Sequence, residues 1–153
     1  MSIPLIHLQE LMHSLGPSSS WVDSLVQEAS DSWTLQSSDG LTIAMTFNLE
    51  TSRLFLSAIL GQPDEVHQSA IYTTMLCMNL LYAEDHSLRV ALTGPSGELM
   101  LISEVSLTDL TIDRLQHCIL HFHQHTNNLM EEIQAIADTE ITPEISERDF
   151  LRA

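Results

Sequence analysis

Apolar residues recur along the chain with two different periods, and the switches between them predict an order of elements. Leu5, Leu8, Leu11, Met12 and Leu15 keep a helical spacing behind Ser2, a candidate cap, and Pro4, which suits a first turn; Gly16-Pro17 should end this helix. After three serines, Trp21, Val22, Leu25, Val26 and Ala29 fit a second short amphipathic helix, although a structured loop satisfies the same spacing nearly as well. Trp33 to Gln36, Leu41 to Asn48 and Arg53 to Leu60 alternate as strands. Turn residues at Ser37-Ser38-Asp39-Gly40 and Asn48-Leu49-Glu50-Thr51-Ser52 join them into an antiparallel meander.

Gly61-Gln62-Pro63-Asp64 breaks the third strand, and Asp64 is placed to cap a helix reaching about Ala83. Ser87 to Thr93 and Glu98 to Glu104 flank the Gly94-Pro95-Ser96-Gly97 turn as a hairpin. From about Thr108 to Ala137, Leu115, Ile119, Phe122, Leu129, Met130, Ile133 and Ile136 hold a helical period. The expectation is an α+β fold, α-βββ-α-ββ-α, with a five-stranded, antiparallel, twisted sheet under packed helices in a single domain over 1-137. An acidic tail over 138-153 follows.

Two stretches carry more apolar surface than this plan can hide. Leu54, Leu56, Ala58 and Leu60 alternate with Phe55 and Ile59, and Leu99 and Leu101 with Met100 and Ile102, so both faces of the sheet are apolar where two helices can cover only one. The middle helix is apolar nearly all round, with Met75 and Tyr82 opposite Val66 and Cys77 on its wheel. Such a helix is either central in a core or buried by something outside the chain; the reading favours a homodimer.

Charge narrows the partners. The 153 residues hold 21 acidic and 5 basic side chains, a net −16, and every basic residue is an arginine standing alone: Arg53, Arg89, Arg114, Arg148 and Arg152. With no basic stripe to neutralise phosphates, nucleic acid and anionic lipid are poor partners. No apolar run is long enough to span a bilayer, no signal peptide is visible, and two cysteines give no disulfide framework, so a cytoplasmic protein with reduced thiols is expected.

Chemistry finds little footing. The five glycines form no phosphate-binding loop, and neither Cys77 nor Cys118 sits on a nucleophile turn beside a base. Asp64-Glu65, Glu84-Asp85 and Glu131-Glu132 read as capping or solvated carboxylates, and His7, His13, His67 and His86 as isolated side chains. The expectation is no enzyme and no cofactor. His117, Cys118, His121, His123 and His125 are the exception, because His117, His121 and His125 follow one another at four-residue steps along one helix stripe. That spacing could clip a transition metal, but a zinc site needs three or four converging ligands, so no metal is assigned. A metal- or pH-responsive regulator built on this stripe remains the alternative function, and a small-molecule binder in the sheet a third.

The run Leu54-Phe55-Leu56-Ser57-Ala58-Ile59-Leu60-Gly61-Gln62-Pro63, followed by Leu76-Cys77-Met78-Asn79-Leu80-Leu81 on a helix, resembles the class I chaperones of bacterial type III secretion, the Tir chaperone (CesT-like) family. Leu88-Arg89-Val90-Ala91-Leu92, the Gly94-Pro95-Ser96-Gly97 turn and Glu98-Leu99-Met100-Leu101 resemble that family's hairpin, and a long helix follows. The likeness spans roughly Leu41 to Ile136; the helical piece read over Gly16 to Asp31 and the length of the tail depart from it. The resemblance implies a homodimer that binds the N-terminal region of secreted effector proteins in an extended state, with the secretion apparatus as a further contact and no catalysis. It implies effector contacts at Leu8, Leu11, Met12, Ile43, Met45, Leu54 and Leu56, and dimer contacts at Ile71, Met75, Met78, Leu88 and Val90.

Overall fold

The computed structural model describes residues 3–84, 87–95 and 97–139. Ser2, Asp85, His86, Ser96 and the tail from residue 140 onward lie outside the described residues.

The elements run α1 (Ile3–Ser18), β1 (Val22–Ala29), β2 (Ser32–Ser37), β3 (Thr42–Asn48), β4 (Arg53–Gly61), α2 (Gln68–Tyr82), β5 (Arg89–Leu92), β6 (Leu99–Ser106) and α3 (Ile112–Ala137). The α+β class and the antiparallel sheet are as expected, but the sheet has six strands in the order β1-β2-β3-β4-β6-β5. The additional strand is the segment expected to be a short helix. Its pairing with β2 slips between Val22 and Ser24 and again between Gln27 and Ala29. Each slip inserts a residue on one strand and breaks the two-residue alternation, which is why its apolar positions imitate a helical spacing. Ser30 and Asp31 alone connect β1 to β2, a tight hairpin. α1 also runs past Gly16, to Ser18.

Cross-strand partners share a face, and the register sorts the two sets of apolar residues. Trp33 pairs with Met45, Met45 with Leu56, Leu56 with Ser103, Ala58 with Leu101 and Leu101 with Val90, and all are buried. Leu8, Met12 and Leu15 of α1, Ile71 and Met75 of α2, and Leu115, Ile119, Phe122 and Leu129 of α3 complete that core. The opposite face carries Ala44, Phe55, Ser57, Ile59, Met100 and Ile102, half-buried or exposed.

Helix ends are set locally. Thr111 caps α3, its hydroxyl accepting the Arg114 N–H at 3.3 Å. Asp64 caps the turn before α2 instead of the helix itself: it accepts the His67 N–H at 2.8 Å, and α2 starts at Gln68.

Candidate partner-binding surfaces

The sidedness of α2 leaves one surface unclaimed. Ile71, Met75 and Tyr82 point into the core, whereas Leu76, Leu80 and Leu81 are 70, 76 and 65% exposed, with Cys77 exposed among them. Three leucines in water on one helix face exceed what scattered surface hydrophobics explain. Between this helix and β5 runs an apolar groove of about 210 Å³ lined by Tyr72, Met75, Leu76, Asn79, Val90, Ala91, Leu92 and Leu99. Asn79 closes its floor: the side-chain amide donates to the Val90 carbonyl at 3.0 Å and accepts the Val90 N–H at 2.7 Å, taking the place of a neighbouring strand.

A second surface is the other sheet edge. Most of β1 is exposed, and a groove of about 350 Å³ separates it from α1, lined by Gln9, Met12, His13, Gly16, Val22, Ser24, Leu25 and Trp33, among others. Gln9 donates to the Ser30 carbonyl at 2.8 Å and holds the far end of the hairpin to the helix. Here edge backbone and apolar side chains lie together, the combination that takes up an extended peptide.

The uncovered sheet face forms the third. Arg53 and Arg89 both pair with Glu104 on it, beside Phe55 and Ile102. Beyond Ala44 and Ser57 the β3 to β4 ladder stops, and the strands part around a cleft of about 520 Å³ whose walls include Thr42, Ile59, Asn127 and Met130.

The polar side of α3 is used internally. His123 meets Asp39 at 3.0 Å, Asn127 donates to Asp39 at 2.8 Å, and the Trp21 ring lies 4.8 Å from the His123 ring. Hydrogen bonds from Ser37 first, then His123 and Asn127, hold the Asp39 carboxyl well below the usual carboxylate range. His67 places its two ring nitrogens against the Thr139 carbonyl and the Asp64 carboxylate, which raise its pKa. His7 meets the Leu110 carbonyl at 3.0 Å, so His7 and His67 are engaged and not isolated as expected, while His13 is exposed. Among the described residues no three His, Cys, Asp or Glu side chains converge as a metal site.

Of the residues expected to meet an effector, Leu8, Met12, Ile43, Met45, Leu54 and Leu56 lie inside the chain's own core, and Leu11 is half-buried. Of those expected at the dimer contact, Ile71, Met75, Leu88 and Val90 are buried and Met78 is half-buried. Their neighbours hold the surface instead: Leu76, Leu80 and Leu81 on α2, Leu92 on β5, and Phe55, Ile59, Met100 and Ile102 on the sheet. The period-two alternation marked both sets; the choice between them depends on which face the helices cover.

The model of the Tir chaperone protein (CesT) family matches residues 8–130. The fold superposes on a chain of the HopA1–SchA chaperone–effector complex with a TM-score of 0.65 at 14% identity, covering 86% of this chain and 98% of that one. For the ExsC–ExsE complex the TM-score is 0.64 at 16% identity, with 86% and 96% covered. For the Yersinia pestis type III secretion chaperone SycH, solved with a stable fragment of YscM2, it is 0.55 at 18% identity, with 82% and 98% covered. No curated protein sequence matches significantly. No helix among the described residues is long and apolar enough to cross a membrane.

Proposed function

The chain belongs to the Tir chaperone protein (CesT) family, and from that premise we propose that it is a cytoplasmic, homodimeric chaperone of type III secretion that binds the N-terminal region of one or more effectors in an extended state and keeps them competent for export. The family match over residues 8–130 carries this reading. The bound partners named for the HopA1–SchA and SycH structures support it by analogy of fold. No catalytic step is part of it.

The effector segment is assigned to the β1 edge and the groove against α1, with Leu11 at its side and Leu8 and Met12 shaping it from beneath. Ile43, Met45, Leu54 and Leu56 act from below as well, setting the register that turns Phe55 and Ile59 outward. The homodimer is assigned to the outer face of α2, where Leu76, Leu80 and Leu81 with Met78 cover one another across a two-fold axis, over the buried Ile71, Met75, Leu88 and Val90. The −16 charge keeps so apolar a surface soluble. The domain of 1-137 forms the binding body, and contact with the secretion apparatus belongs to the loaded dimer.

Calorimetry of the purified protein against the isolated N-terminal region of a co-purifying secreted partner tests the reading. Burial of apolar surface predicts a negative heat-capacity change and an affinity that tolerates salt. An affinity that collapses at high ionic strength, or one unchanged by Leu25→Asp in a folded protein, overturns the apolar groove as the site.

A further inference from the structure

The histidine stripe on α3 contains a geometry that its spacing alone does not disclose. His121 and His125 direct the same ring atom, Nε2, toward each other at 3.0 Å, with ring centroids 4.3 Å apart and planes at 69°. His117 continues the stripe one turn back, its ring stacked 6.2 Å from that of His121. Tyr82, the last residue of α2, packs edge-on against His125 at 5.5 Å, so the pair sits where α2 and α3 meet, half-buried but open to solvent on the His117 side.

We propose that His121 and His125 form a two-donor chelating site for a borderline divalent transition metal, Cu(II) in preference to Zn(II). Neutral imidazole nitrogen is the common protein donor for these ions at metal–nitrogen distances of about 2.0–2.1 Å. At that bond length two donors 90° apart stand about 2.9 Å from one another, and two at a tetrahedral angle about 3.3 Å. The observed 3.0 Å lies between these two values, so the pair can span adjacent corners of either geometry, and the general order of divalent affinities favours copper. A copper ion entering there takes the lone pairs of both Nε2 atoms, and the proton one of them carries in the hydrogen bond moves to Nδ1 of the same ring, so both ligands remain neutral imidazoles. No third His, Cys, Asp or Glu among the described residues converges on the pair, so the remaining positions fall to water.

The experiment uses the full chain and copper(II) chloride alone, followed by calorimetry and electron paramagnetic resonance. One equivalent per chain, with a tetragonal spectrum split by at least two nitrogens, is expected. His121→Gln and His125→Gln should each abolish the stoichiometric phase, while His13→Gln, on exposed α1 surface, leaves it intact. Zinc should bind at least about tenfold more weakly, in keeping with the general order of divalent affinities. Far-ultraviolet circular dichroism of each variant establishes that the fold is kept, and copper should raise the melting temperature of the wild type and of His13→Gln but not of His121→Gln or His125→Gln. Copper binding that survives both substitutions in folded protein, or zinc binding as tight as copper, overturns the site.

Discussion

Helices α2 and α3 lie against the same sheet, yet they treat water differently. α3 buries Leu115, Ile119, Phe122, Thr126 and Leu129 and turns its acidic side chains outward, leaving Met130, at 39%, as its one exposed large apolar residue among those described. α2 buries Ile71, Met75 and Tyr82 and then presents leucines on its other side as well. A helix that is amphipathic is a finished part of a monomer; a helix apolar on both sides is half of a contact. The contrast supports the proposed contact at α2 on the exposure of its leucines alone.

Substitutions on the two helices should therefore fail in different ways. The largest effect is expected from Phe122→Ala in α3, which empties a fully buried site and should cost about 3–5 kcal/mol in denaturant unfolding. Asn79→Ala in α2 should cost about 1–2 kcal/mol by the same measurement, because it strips both main-chain groups of Val90 of their partner. Leu80→Glu sharpens the comparison most: at a residue 76% exposed it should change the stability of the single chain by no more than about 0.5 kcal/mol, while light scattering reports the monomer mass. A dimer mass in that variant removes α2 as the contact.

A small, pH-dependent effect belongs to the polar side of α3, where Asp39 is held by His123 and Asn127. Its pKa is lower in the folded than in the unfolded chain, so its contribution is fully present above the ordinary value of 3.8 and fades as the pH falls below it. The carboxylate is 46% exposed, which limits the term to less than about 1 kcal/mol. Asp39→Asn should lower stability slightly at neutral pH and flatten the acid limb of a stability-against-pH curve.

How much of this was legible in the sequence follows from how regular each segment is. The strands over 42–48 and 53–61 and the helix over 112–137 keep their periods without interruption, and the sequence reading finds them with errors of a few residues at their ends. β1 escaped because two bulges disguise its alternation. The surfaces were half legible: apolar residues on both faces of β4 and β6 announced excess, but Leu54 and Phe55 are equally apolar as letters. Only the packing of three helices on one face decides that Leu54 goes inside. For the histidines, the four-residue spacing was visible, whereas the convergence of two Nε2 atoms depends on side-chain rotation that spacing does not specify.

The amide of Asn79 across Val90 bears on how large an assembly can become. An exposed edge strand accepts another strand and then offers a fresh edge, which is how sheets grow into fibres. Here the outer rung of β5 at Val90 is already occupied by a side chain from the same chain, so on this side the proposed contact falls to the α2 helix, where a two-fold pairing would close on itself. One asparagine thus stands between an exposed apolar helix face and the open strand edge from which an ordered polymer would grow.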